Sequence, residues 1–359
     1  MTRQTPPATS AGPANALPRR ALLRAGLAGG AATLAAPALI GPAIAAGEVT
    51  WRVQAVWPKA SSSFAGSLGK LADMLEERTE GRFKWQLFGA GELAKGPEIF
   101  NIVSRGIAQA GTSSASYMAD VSSVSAFAYG IPGTLQDFWQ QSHLQKNLGI
   151  EAMMSAETEK HGVIYKAEKS YPTELILSRD INTVDDFRSL KLRASGALLD
   201  YLAGAGASPS FIPVSELYQA LQTGVVDGAH YGAAVGAKTL SLWEVCKFHM
   251  KPALAFSSDA WVFNADAMEA LPDDLRLHLT ALLEERYYAR TTEYQLLETL
   301  AIKEGQQEQG VTVKPFPEEV QALMAQASAD ILAREAEKSE AAATAADKLR
   351  EFMGQLGIA

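Results

Sequence analysis

Arg193 is the residue in this chain best placed to do chemistry. It closes the run Ser189-Leu-Lys-Leu-Arg-Ala-Ser-Gly196. Leu190 and Leu192 alternate with Lys191 and Arg193, so the two apolar side chains share one face of a short strand. Arg193 therefore stands at the strand's end, where Gly196 allows the backbone to turn. A planar fork of N–H donors at that position is suited to clamping one carboxylate. A second run, Gln219-Ala-Leu-Gln-Thr-Gly-Val-Val-Asp-Gly-Ala229, reads as a helix end, a glycine stop and a short strand starting at Val225. Ser113, Ser114 and Ser116 follow a third strand at the carboxyl end of a parallel sheet, where ligands are expected. Trp57, Tyr117, Tyr231 and Trp261 are candidate cavity walls, and aromatic walls near an arginine suit a planar or aromatic acid. Glu174 is a candidate acceptor for a ligand hydroxyl.

Other chemistries find little support. The five histidines, His143, His161, His230, His249 and His278, show no metal-ligand spacing. No phosphate-binding loop, nucleophile elbow, zinc-protease motif or paired Cys-x-x-Cys occurs. Gly89-x-Gly91-x-x-Ala94 follows a strand, but Lys95-Gly96-Pro97 breaks the segment where a phosphate-binding helix would begin. Asp185-Asp186 reads as a helix start, where negative charge favours the helix dipole. The single cysteine, Cys246, forbids an internal disulfide. A net charge of -8 argues against a nucleic-acid partner. It does not argue against an anionic ligand, because a cleft arginine sets the local field.

The elements that must position these residues follow from periodicity. Trp51–Val56 alternates and ends at Trp57-Pro58, as a first strand does. Ser61–Arg78 reads as a helix with Leu68, Leu71, Ala72 and Leu75 as its buried stripe. Phe83–Phe88 reads as a second strand. Pro97 opens a helix that stops at Gly106, and Ala108–Thr112 begins a third strand. The rhythm restarts with Val163–Lys166, Leu175–Leu177, the Asp185 helix and the Arg193 strand. Strand alternating with helix implies parallel sheets with right-handed crossovers, and two α/β lobes. Asp273–Gln309 reads as one long helix, and Pro317 opens further helix to about Gly354. The alanine-rich run Glu335–Ala346 is polar on most faces and reads as a solvated helix.

The N-terminus reads as an export signal. Arg19-Arg20 precede a weakly apolar run over Ala21–Ala46, and Ala43-Ile44-Ala45 has the small-x-small form of a cleavage site. The paired arginines point to the twin-arginine route. Cleavage leaves about 310 residues, enough for two lobes.

The phrases Leu-Lys-Leu-Arg193 and Leu221-Gln-Thr-Gly-Val-Val-Asp-Gly228, with Gly91-Glu-Leu93, Asn264 and Leu271-Pro272, resemble the solute-binding proteins of TRAP transporters, the DctP-like family. The resemblance runs from Trp51 to about Val313. It implies a two-lobed periplasmic binding fold, with long C-terminal helices bracing both lobes. It implies a signal peptide over 1–45, lobe I over 46–170 with part of 257–310, lobe II over 171–256, and bracing helices over 272–359. It also implies that Arg193 grips the carboxylate of a small organic acid, which the closed protein delivers to membrane subunits.

Departures from the family sharpen the expectation. Dicarboxylate-type members carry a second arginine where this chain has Tyr171-Pro-Thr-Glu174, so a monocarboxylate is favoured over a C4-dicarboxylate. The keto-acid branch carries Glu-Trp, which helps hold a metal, where this chain has His230-Tyr231. Imidazole and phenol are poor ligands for a hard cation but good hydrogen-bond donors. The expectation is a metal-free, cofactor-free pocket read by Arg193, His230, Tyr231, Trp57, Ser113, Ser114, Tyr117, Glu174 and Trp261. His230, partly protonated near neutral pH, would add charge to the clamp. An exported organic-acid enzyme lacks a visible nucleophile–base pair, and a sensor module is not separable from a transport receptor at this level. Homodimerisation through the C-terminal helices stays open.

Overall fold

The computed structural model describes residues 47–358. The signal segment expected over 1–45 lies outside them. Among the described residues no helix is long and apolar enough to cross a membrane.

The strands are β1 (Val49–Gln54), β2 (Phe83–Phe88), β3 (Ala110–Ser114), β4 (Val163–Leu177), β5 (Lys191–Arg193), β6 (Ser208–Ser210), β7 (Gly228–His230), β8 (Phe248–Asn264) and β9 (Thr312–Pro315). They form one sheet in the order β2-β1-β3-β8-β4-β7-β5-β6, with β9 beside β8. At one end β1 runs parallel to β2 and β3. At the other, β5 runs parallel to β6 and β7. These two parallel trios match the strand–helix rhythm of the sequence.

The middle of the sheet does not match it. Val163–Lys166 and Leu175–Leu177 are the two ends of one 15-residue strand, β4. It pairs antiparallel with the 17-residue β8 along nearly its whole length. The sheet is therefore mixed. β8 also pairs with β3, and β4 with β7, so the two long strands join the trios. The stretch Lys166–Glu174 is polar and holds Pro172, which hides its strand character from pattern reading.

Ser61–Arg78 is helical from Phe64, with Leu68, Leu71 and Leu75 fully buried. Asp185 and Asp186 do open a helix, Val184–Arg188. Thr183 caps it by accepting from the Asp186 N–H, while the Asp186 carboxylate accepts from the Thr183 N–H. The long helix Asp273–Glu308 buries Leu275, Leu279 and Leu282 in the apolar cluster of the first trio. Farther on it buries Tyr294 and Ala301 in the cluster around Trp243.

The C-terminal expectation needs two corrections. The helix opened at Pro317 breaks after Ala336, and a second, Glu340–Leu356, begins where Ser339 accepts from the Ala342 N–H. The alanine-rich run is not solvated. Ala342, Ala345 and Ala346 are fully buried and continue as a stripe to Leu349 and Phe352. Alanine is only weakly apolar, so its stripe reads faintly in sequence, yet its small side chain lets helices pack closely.

Candidate functional site

A cleft of about 730 Å³, its open mouth included, lies between the two parallel trios. Its walls come from the carboxyl ends of parallel strands: Trp57 just past β1, Ser114 ending β3, Arg193 ending β5, His230 ending β7 and Tyr231 just past it. This is where open α/β sheets bind ligands. The long strands add Tyr171 and Asp259, and the long helix adds Tyr294.

Local sequence explains how Arg193 is held there. Gly224, in left-handed backbone, stops the helix Val214–Gln222. The chain then brings Asp227 beside β5. Its carboxylate accepts from the Lys191 N–H at 2.8 Å, and its own N–H donates to the Lys191 carbonyl at 2.7 Å. The conspicuous Leu221–Gly228 phrase thus fixes the strand that ends in Arg193. Arg193 is only 2% exposed. Its Nε donates to the Ile212 carbonyl at 3.0 Å and its Nη1 to the His230 carbonyl at 2.7 Å. Among the described residues no acidic side chain forms an ion pair with it. A buried cation whose charge is left uncompensated is costly, and an anion entering the cleft would relieve that cost.

His230 is 3% exposed and lines the cleft. Burial, with the nearby Arg193 charge, holds its pKa well below the ordinary value. The imidazole is therefore neutral at neutral pH, which corrects the expectation that it adds charge. Its Nε2 accepts from the Ser195 N–H at 3.1 Å. That places the proton on Nδ1, which has no hydrogen-bond partner among the described residues. His230 is thus a neutral donor whose Nδ1–H is buried and unpartnered among the described residues. Burial pushes the Tyr117 phenol up, and the Arg193 charge pulls it partly back. Burial also pushes the Tyr231 phenol up, with Asp259 adding to the effect. Both phenols are neutral, able to donate and accept. Gly196 turns the chain after Arg193 at φ +56°, and a Cβ there would lie 2.7 Å from the Ser116 Cβ, so backbone from opposite sides of the cleft meets at this point.

The structure brings together Trp57, Ser114, Tyr117, Arg193, His230 and Tyr231 at the cleft. Three expected members lie elsewhere. Ser113 sits next to Ser114, and strand alternation turns it away from the cleft into a buried position. Trp261 lies two residues, about 7 Å, beyond Asp259 along β8. There it stacks on Phe263 at 6.2 Å in the core beneath β1. Glu174 sits beside a register shift in β4 and is 3% exposed. It binds His249 at 2.5 Å and Lys251 in a network off the cleft. Burial opposes its ionisation, but those two partners outweigh it and hold its pKa low.

Asp259 is the member that sequence reading missed. It lies mid-strand in β8, a strand that was itself not read. A lone acidic residue inside the largely apolar run Leu254–Phe263 was the available signal. Asp259 Oδ2 accepts from Lys169 Nζ at 2.5 Å, and Lys169 also binds Glu168 at 2.8 Å. The same ammonium lies 4.7–5.2 Å from the ring centroids of Trp57, Tyr171 and Tyr294.

The donor set does not suit a hard metal ion. His230 Nε2 is engaged, Tyr231 is a neutral phenol, and Asp259 already binds an ammonium. Among the described residues no three His, Cys, Asp or Glu side chains gather where they would hold a metal.

The family model "Bacterial extracellular solute-binding protein, family 7" (DctP) matches residues 54–339. A monocarboxylate 2-oxoacid-binding periplasmic protein of Nostoc sp. is 25% identical over 317 residues, 86% of this chain and 85% of that protein. A TRAP periplasmic solute-binding protein from Pseudoalteromonas atlantica, solved with bound sodium and pyruvate, superposes with a TM-score of 0.79 at 22% identity, covering 86% of this chain and 95% of the other. A TRAP transporter solute-binding protein from Bordetella bronchiseptica, a mixed-occupancy dimer with calcium and picolinate in one site, gives a TM-score of 0.80 at 21% identity, covering 86% and 93%. The two structures share the two-lobed fold with this chain. With the family match spanning most of its length, the chain belongs to the DctP family of bacterial extracellular solute-binding proteins.

Proposed function

We propose that this protein captures a small organic acid with one carboxylate in the cleft and delivers it to a TRAP-type membrane transporter. The observation that carries the reading is Arg193, a buried guanidinium with no acidic partner among the described residues, at the carboxyl end of a parallel strand facing the cleft. Its remaining N–H groups are the natural seat of a ligand carboxylate. The His230 Nδ1–H, Tyr117, Tyr231 and Ser114 then read the rest of the molecule. The ligand class is a 2-oxo, 2-hydroxy or aromatic acid, in keeping with the named ligand of the Nostoc relative. Arg193 is the only cation lining the cleft among the described residues, and a second carboxylate would meet Asp259. A dicarboxylate is therefore disfavoured. Binding proceeds without a metal or cofactor on this reading, because the one carboxylate lining the cleft among the described residues already binds the Lys169 ammonium.

The wider assignment follows from this reading. Residues 1–45 export the chain to the periplasm by the twin-arginine route. Lobe I, over 46–170 with part of 257–310, and lobe II, over 171–256, close on the ligand by hinge motion. The helices of 272–359 brace them. The match to a family of solute-binding proteins supports a role in which the ligand is released unaltered.

The test is calorimetric titration of the purified mature chain with a panel of mono- and dicarboxylic acids, with and without chelator. A monocarboxylate should bind, chelator should have no effect, and Arg193→Lys or Arg193→Ala should weaken binding about tenfold to a hundredfold, the range of a charge-assisted hydrogen bond. Unchanged affinity in both variants would overturn the assignment.

A further inference from the structure

The cleft has two electrical poles. One is Arg193, positive and without an acidic partner among the described residues. The other is Asp259, which lines the same cleft with 11% of its side chain exposed. Behind Asp259, Lys169 is shared between two carboxylates, Asp259 and Glu168, and all three are buried. The cluster sets one ammonium against two carboxylates, and the carboxylate that meets the cleft is Asp259. Lys169 cannot move toward the cleft to neutralise it further. Its Nζ is pinned by both acids and packed over the rings of Trp57, Tyr171 and Tyr294. Oδ2 of Asp259 is taken by Lys169 and the Tyr171 phenol also reaches this carboxylate, so Oδ1 is the atom left for a ligand to share.

We infer that Asp259, oriented by Lys169, is a specificity-determining residue that accepts a hydrogen bond from an O–H or N–H group of the ligand. The inference rests on Arg193 holding the ligand's carboxylate. It narrows the ligand to an acid that carries a donor near that carboxylate: a 2-hydroxy acid, a 2-amino acid or a cyclic amide acid. A 2-oxo acid presents only acceptors on its chain, and its carbonyl oxygen would face Asp259 with no proton between them. An unsatisfied polar group in a dry site discriminates strongly against the analogue that leaves it unpaired. The same lysine supplies a fixed positive charge beside Asp259, where a metal would otherwise have to compete with an ammonium already in place.

The test compares matched pairs that differ only at the second position: lactate with pyruvate, and mandelate with phenylglyoxylate. Calorimetry on the mature chain should show the hydroxy acid of at least one pair binding about tenfold or more tightly than its oxo partner. Asp259→Asn keeps size and an acceptor oxygen but adds N–H donors and removes the charge. It should bring the ratio close to one by improving the oxo acid. Asp259→Leu should weaken the hydroxy acid while circular dichroism confirms an intact fold. Arg193→Ala should weaken binding of both partners about tenfold to a hundredfold. If Arg193→Ala leaves binding intact, the carboxylate seat itself is wrong. If Arg193 is required but the wild type prefers the oxo acid, or Asp259→Asn leaves the ratio unchanged, the role of Asp259 is overturned while the seat stands.

Discussion

The backbone N–H of Ser195 donates to Nε2 of His230 at 3.1 Å, across from the strand that ends in Arg193. This single bond decides what His230 offers the cleft. With Nε2 occupied as an acceptor, the proton sits on Nδ1, and burial beside a guanidinium keeps the ring neutral. The histidine serves as a hydrogen-bond donor and leaves Arg193 as the sole positive charge on the wall among the described residues.

Ligand affinity should therefore be flat between about pH 6 and 8, the span in which an ordinary histidine titrates. A rise in affinity toward pH 6, measured by calorimetry, would show an imidazolium in the cleft. Stability should respond instead. The folded pKa of His230 lies below its unfolded value, so its contribution is intact above about pH 6.5 and is lost as the pH falls below that. Thermal melts of His230→Gln should lose less stability than the wild type on going from about pH 7 to pH 5.

Glu298 should give a pH dependence of the opposite sign. It is buried on the long helix, with Oε2 accepting from the Val235 N–H at 3.2 Å and Oε1 without a partner among the described residues. Burial, reinforced by the charge of Glu174, pushes its pKa up to about 8. Its folded pKa thus exceeds the unfolded one. Protonated Glu298 supports the fold at low pH, and that support fades as the pH climbs through about 8. Glu298→Gln should raise the melting temperature relative to wild type by roughly 2–4 °C at about pH 8.5, and by less at about pH 6. An equal effect at both values would place the ionisation elsewhere.

Gly196 is a third point of test. Its φ of +56° is one that side-chain-bearing residues rarely adopt, and a Cβ would press on Ser116 across the cleft. Gly196→Val should cost about 1–3 kcal/mol of stability, read as a lowered denaturant midpoint. It should also weaken ligand binding, because the two sides of the cleft could no longer meet there. The variant Gly206→Val, at another positive-φ glycine that lies off the cleft, should lose stability without a matching loss of affinity.

Much of the site was legible in the residues themselves. Arg193 was readable because two leucines alternating with charged residues define a strand end, and a glycine follows it. The Leu221–Gly228 phrase was readable as helix, stop and strand because glycine in left-handed backbone is a local demand. The long helix Asp273–Glu308 was readable because few residues interrupt its run. Those signals act within a few residues of themselves, and local sequence is enough to state them.

The rest was decided in three dimensions. β8 and the middle of β4 were missed because strands buried among other strands carry polar residues that pattern reading takes for loop. Lys166–Glu174 and Ser257–Asp259 are polar, yet Lys169 and Asp259 satisfy each other across paired strands, 90 residues apart in the chain. No local rule announces such a partner. The same long-range pairing sorted the aromatic candidates. It left Trp57 at the cleft and carried Trp261 into the core, a difference of a few ångströms along strands that only the assembled sheet sets. Sequence alone determined the positive pole of this cleft, because a strand end and its turn are local structures. The negative pole exists only once β4 and β8 are side by side, because a buried charge is tolerated where the fold brings its counter-charge.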